Sequence, residues 1–143
     1  MSALKIGIVV LRIALGGLFI YGGIQKFIPK ERPKSDPSVE VPAHVLKIRA
    51  FIGGMKQTEY FWPMLGIAEI ACGVMLVSQY LALLGAVIQV PITLNIFLFH
   101  VFLEPHDVGE LLMTGLCLAG NLVLIGFNYQ KLKTVFLNFK TIY

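Results

Sequence analysis

The sequence predicts an all-α fold: an integral membrane bundle of four transmembrane helices with a short amphipathic helix in the first loop. Three observations carry this. Hydrophobic residues make up 57% of the chain and charged residues only 14%, against about 25% charged in ordinary soluble domains. Four apolar stretches, about residues 6–27, 60–77, 80–102 and 108–127, approach the ~20 residues that a helix needs to cross a bilayer. The later connections are short, which makes successive spans antiparallel neighbours. At 143 residues the chain has the length of one domain, so 1–143 is read as a single transmembrane domain.

The first span follows Lys5 and carries Arg12. A basic residue before an apolar run resembles a secretory leader. No small-x-small cleavage site follows, however, and Arg12 interrupts the apolar core, so the segment is read as a retained helix. The long connection after it divides in two. From Pro29 to Glu40, PKERPKSDPSVE is polar and proline-containing, an exposed segment. Beyond it, Val41, Val45, Ile48, Ile52 and Met55 recur at alternating four- and three-residue spacing, with His44 and Lys47 off the stripe. This predicts an amphipathic helix over about 41–55, ended by Gly53-Gly54, lying in the membrane interface or capping the bundle. An irregular loop is the alternative.

The second span carries Glu69, and Ser78-Gln79 leaves only a tight turn before the third. The third is interrupted by Gln89, Pro91, Thr93, Asn95 and His100. Glu104-Pro105-His106-Asp107 then joins it to the fourth. Pro105 cannot extend a helix, while Asp107 and Glu110 match an N-cap and its N3 partner. The fourth span holds Thr114, Cys117 and Asn121, and a short basic tail follows Asn128.

Ionisable groups within a membrane are the strongest functional pointers, because each costs about 2.5–3.5 kcal/mol at a helix centre and needs an inward-facing partner. Two lie deep and have opposite sign, Arg12 and Glu69. If the ends of the first two spans are level, their depths are about 9 and 12 Å, and an intramembrane ion pair is expected. Arg12, Gly16, Phe19, Gly23 and Lys26 share one helix face, as do Gly66, Glu69, Cys72 and Gly73. Small residues beside polar ones let membrane helices approach closely. Gly85, Gln89, Thr93, Ile96 and His100 form a third stripe, and Thr114, Cys117 and Asn121 a fourth. Lys26, Gln89, Thr93, His100 and Asn121 are thus candidate lining residues of a shared interior pocket. Two readings remain open: a pair that locks helix register, or one that handles a ligand or proton.

Other chemistries find little support. The charge of +4 resides in one loop and at the two ends, beside lipid headgroups rather than nucleic acid. No metal site is expected from His100, Glu104, His106 and Asp107, since Asp107 is explained as a cap and Pro105 disrupts the spacing. A haem on His100 lacks a second axial ligand. Cys72 and Cys117 form no CxxC or metal pattern and read as packing residues, with thiol redox chemistry as a minor alternative. No cofactor and no catalytic residue is assigned.

Arg12-x3-Gly16, Gly22-Gly23-x2-Lys26 and Gly66-x2-Glu69-x3-Gly73 closely resemble the first two helices of the DoxX family. Phe99-His100-x-Phe102 before an acidic, proline-containing turn also matches that pattern. The resemblance runs from the first span through the fourth, with Pro29–Glu40 as an insertion. It implies a multi-pass protein of the bacterial inner membrane. Relatives in the family include small subunits of thiosulfate:quinone oxidoreductase, a partner of redox-stress enzymes, and distant eukaryotic receptor chaperones. Their activities differ, so the fold alone does not choose among them.

The leading expectation is a non-catalytic accessory or assembly subunit of a bacterial membrane complex, with redox complexes among the options. The alternative is a binding or transport protein for a small lipophile, such as a quinone or lipid, held beside Arg12 and Glu69. The expected partners are the bilayer, another membrane protein or further copies of the chain, and no nucleic acid. Four spans place both termini on one side. Seven Lys/Arg from Lys26 to Lys56, against Lys5, Lys131, Lys133 and Lys140, favour loops inside by the positive-inside rule. The family resemblance implies cytoplasmic termini, and that expectation is followed.

Overall fold

The computed structural model describes residues 2–29 and 40–136. The polar segment expected at 29–40 therefore lies almost wholly outside the described residues. Six helices follow in order: α1 (Ala3–Gln25), α2 (Ala43–Gln57), α3 (Phe61–Val77), α4 (Ala82–Leu103), α5 (Val108–Phe127) and α6 (Tyr129–Phe136). No strand occurs among the described residues. Three helices, α1, α4 and α5, are each long and apolar enough to cross a membrane. With 17 residues α3 is shorter, and it passes the same test only together with α2, from which it is bent by 88°.

Glycine placement explains the tightest contact, between α1 and α3. Gly16 and Gly23 are one heptad apart, as are Gly66 and Gly73, so each pair keeps to one helix face. A Cβ at Gly23 would lie 2.6 Å from the Gly66 carbonyl oxygen, and one at Gly73 would lie 2.6 Å from that of Gly16. The helices are antiparallel, with Gly16 opposite Gly73 and Gly23 opposite Gly66. Backbone touches backbone there. Gly85 repeats the device on α4, where a Cβ would meet Met75 and the Cys72 carbonyl. Leu15, Phe19, Leu76, Ala86 and Leu124 fill the space between these helices. The outward faces carry exposed Leu, Ile, Val and Phe side chains, a surface suited to lipid rather than water.

The expected cap of the last long helix is present. Asp107 Oδ1 accepts a hydrogen bond from the Glu110 backbone N–H at 3.1 Å, and α5 starts at Val108. The segment after Val41 is helical rather than irregular. Val45, Ile48, Ile52 and Met55 are half-buried, while His44 and Lys47 are exposed. One boundary differs: α2 runs through Gly53-Gly54 to Gln57. Neither glycine's site meets another atom within 4 Å, and nothing there requires left-handed backbone. The break comes later, where Glu59 adopts a φ of 61°. Thr58 joins the two helices, donating to the Met55 carbonyl at 2.7 Å and accepting from the Phe61 N–H at 3.2 Å. The basic tail expected after Asn128 forms α6, with Lys131 and Lys133 exposed and Leu132 half-buried.

Candidate functional site

The expected Arg12–Glu69 pair does not form. Glu69 Oε2 instead accepts a hydrogen bond from Lys26 Nζ at 2.6 Å. The glycine register gives the reason. With Gly16 opposite Gly73, Arg12 stands opposite Val77 at the very end of α3, and Glu69 stands opposite Ile20. The ends of α1 and α3 are therefore not level, contrary to the assumption behind the expected pair. Arg12 and Glu69 are separated by eight residues along the axis, about 12 Å. Side chains also lean toward the N-terminus of their own helix. Arg12 leans away from Glu69, whereas Lys26 and Glu69, on antiparallel helices, lean toward each other. Arg12 Nε is buried without a hydrogen-bond partner among the described residues.

Lys26 follows the last residue of α1, and its carbonyl accepts from Trp62 Nε1 at 3.1 Å. The Trp62 ring also lies 5.5 Å from Lys26 Nζ and 4.9 Å from Lys56 Nζ, within cation–π range. One tryptophan thus ties together α1, the end of α2 and the start of α3. Glu69 is 2% exposed, and its second oxygen, Oε1, has no hydrogen-bond partner among the described residues.

Beside this pair lies a cavity of about 300 Å³. It exists because α2 turns away from α3 at 88°, so the two helices and α4 cannot close against one another. Phe51, Ile52 and Met55 line it from α2, and Phe61, Trp62, Leu65 and Glu69 from α3. Pro91, Ile92, Asn95, Ile96 and Phe99 line it from α4, with Lys26 at the end of α1. Phe51 meets Phe99 across it, ring centroids 5.7 Å apart. Pro91 and Asn95 are exposed on the outer side, where the cavity faces the surroundings of the bundle.

The remaining candidates lie elsewhere. Gln89, Thr93 and Asn121 are buried between the helices and do not line this cavity. Thr93 donates to the Gln89 carbonyl at 3.0 Å, and Asn121 donates to the Ala86 carbonyl at 3.1 Å. The Gln89 side chain has no partner at either end among the described residues. His100 Nδ1 is 3.3 Å from Glu104 Oε2, close enough for an ion pair when protonated, though not aligned as a hydrogen bond. His44 on α2 packs edge-on to His106, with centroids 6.0 Å apart. Among the described residues no group of three or more His, Cys, Asp or Glu side chains is arranged to hold a metal. Cys72 and Cys117 are free thiols; Cys72 is buried, and Cys117 borders a shallow apolar groove of about 460 Å³ between α1 and α5.

The family model for DoxX matches residues 7–101, which span α1 to α4 and every residue that lines the cavity. The chain belongs to the DoxX family. The match stops before α5, short of the fourth-span coverage expected from the sequence motifs. No curated protein and no solved structure matches the chain. Within this DoxX chain, the aromatic part of the site goes beyond the residues expected from the sequence. Trp62, the single tryptophan, was available as a signal, since it begins a span beside Tyr60 and Phe61. The approach of Phe51 and Phe99 had no signal, because it depends on how α2 folds back.

Proposed function

We propose that this DoxX-family protein is a four-span protein of the bacterial inner membrane that binds a small lipophilic molecule between α2, α3 and α4. The polar end of the ligand meets Lys26 and Glu69, and α2 lies in the membrane interface as the fourth wall of the site. One observation carries this reading: a buried carboxylate, satisfied on one oxygen only, stands on the wall of a mostly apolar, aromatic cavity. Sites for small molecules have that composition, mostly apolar with a few placed polar groups. A buried polar atom without a partner calls for one. Under this reading the protein holds its ligand for a partner enzyme and does not transform it.

The test is organic extraction of the protein purified in mild detergent, followed by mass spectrometry. A discrete lipophile at about one per chain is expected, retained in Arg12→Leu and lost in Glu69→Leu. Preparations with only bulk membrane lipid in every variant would overturn the reading. The second reading is an accessory or assembly subunit, and the apolar groove between α1 and α5 favours it, because a partner helix fits there. A stoichiometric protein partner, lost on Leu116→Trp in that groove, would support it.

A further inference from the structure

We infer that the end of the bundle opposite the cavity binds a phospholipid with a net negative headgroup, whose phosphate is held by Arg12 beside Lys5. This rests on the membrane-spanning part of the reading above and not on the ligand proposed for the cavity. The charges of the chain are divided by sign. No Asp or Glu occurs before Glu31 or after Glu110. Glu69 is paired with Lys26 inside the bundle, and the other acidic residues fall in 31–59 and 104–110, the stretches that join α1 to α3 and α4 to α5. The opposite end is built from the start of α1, the α3–α4 turn at Ser78–Leu81, and the end of α5 with α6. Its charged side chains among the described residues are Lys5, Arg12, Lys131 and Lys133. All four are positive.

Arg12 is the member placed to hold a ligand. Lys5 and Arg12 are one heptad apart and lie on the helix face that carries Gly16. At Gly16 that face packs on Gly73, but Arg12 stands level with Val77, the last residue of α3. From that level to Ala3, α1 overshoots α3 by about 13 Å, so the basic stripe continues past the helix that covers its glycines. The Arg12 side chain leans toward the start of α1, outward to the headgroup level, as long basic side chains near span ends do. Its Nε is buried without a hydrogen-bond partner, and the guanidinium makes no ion pair, among the described residues. Nε–H belongs to the planar fork with which arginine binds phosphate through two hydrogen bonds at once.

The surroundings select a lipid over a free anion. Val10 and Ile13 beside Arg12, and Leu81 in the turn, are exposed apolar side chains. They suit acyl chains next to a bound phosphate and offer nothing to a hydrated ion. Charge then selects the headgroup. A zwitterionic head would bring its own ammonium to an end whose described charges are all positive, where like charges repel. A net negative head meets no such repulsion, and basic side chains at the membrane surface attract it.

Native mass spectrometry of the full chain, released from detergent micelles, counts bound lipids one at a time. The titration compares phosphatidylglycerol with phosphatidylethanolamine of the same acyl chains. The first phosphatidylglycerol is expected to bind about tenfold tighter or more. Arg12→Gln should remove that preference, and Arg12→Lys, which keeps the charge but not the fork, should retain only part of it. Lys47→Gln with Arg49→Gln, at exposed positions of α2, should leave it unchanged, and excess inorganic phosphate should not displace the lipid. Equal binding of the two lipids, a preference that survives Arg12→Gln, or one lost only in the α2 variant overturns the assignment. Displacement by inorganic phosphate overturns the lipid as the ligand. Should Arg12→Gln fail to fold, Lys5→Gln with Lys131→Gln, both at exposed positions, takes its place: a several-fold loss of preference supports the assignment, and no loss overturns it. Any of these failures leaves the cavity reading, which extraction tests, as it stands.

Discussion

Lys26, at the end of α1, and Glu69, at the middle of the antiparallel α3, meet at 2.6 Å, and only the carboxylate is fully buried, the lysine side chain remaining 15% exposed. The pairing is a consequence of the Gly16–Gly73 and Gly23–Gly66 register, which places the end of α1 above the first turns of α3. Lys26 and Glu69 then each reach back toward the N-terminus of their own helix, and so toward each other. The two charges offset each other at the point where the cavity begins, while Glu69 Oε1 has no partner among the described residues.

Removing one member of the pair should destabilise the protein more than removing both. Lys26→Met and Glu69→Leu are each expected to cost up to about 3–5 kcal/mol, the range for stranding a buried charge, with Glu69→Leu at the lower end because the lysine it strands is partly exposed. The double variant should recover much of the loss. Arg12→Leu, which breaks no ion pair among the described residues, should leave the Lys26–Glu69 coupling intact. Thermal unfolding in detergent, arranged as a double-mutant cycle, measures this; additive single effects would mean that the two side chains do not interact.

The glycines of the α1–α3 seam should differ sharply from those outside it. Gly23→Ala and Gly73→Ala each drive a methyl group against a backbone carbonyl at 2.6 Å, which cannot rotate away. About 1–3 kcal/mol of destabilisation is expected, as in overpacked cores. Gly53→Ala has nothing within 4 Å and should be neutral or stabilising by up to about 1 kcal/mol, since alanine favours helix. Melting temperatures of the three variants in one detergent decide it.

The corner between α2 and α3 is strained at Glu59, where φ is 61°. Left-handed backbone costs a non-glycine residue about 1–2 kcal/mol. Glu59→Gly should therefore raise stability by a part of that amount, the remainder going to the greater freedom of glycine in the unfolded chain. Glu59→Val should lower it, because a β-branched residue tolerates positive φ worst. A fall in melting temperature for Glu59→Gly would show that the side chain itself holds the corner.

Four spans require that both ends of the chain share a face. Reporter fusions placed after Tyr143 and within residues 30–39 should report opposite compartments, with the terminal fusion cytoplasmic. Identical reports would leave α2 and α3 as a re-entrant pair and the protein with three spans, the other count that helix length and hydropathy allow.

Much of this protein was legible in one dimension. The apolar runs located α1, α4 and α5, the cap at Asp107 set the start of α5, and the stripe from Val41 to Met55 located α2 and its inner face. These follow from local rules of length, period and capping, which need no knowledge of neighbours. The motifs Gly16, Gly23, Gly66 and Gly73 also marked the faces of α1 and α3 that pack. What they could not give was the register. Charge complementarity alone favoured Arg12 as the partner of Glu69, because both looked deep when the helix ends were assumed level. Backbone contact between the glycines fixes where one helix stops against the other, and that offset, with the lean of each side chain, selects Lys26. The cavity has the same origin. Glu59 turns α2 through 88°, bringing Phe51 to Phe99 across nearly fifty residues of chain. No local pattern encodes that meeting, since it depends on the angle at one corner and on the helices that the fold packs around it.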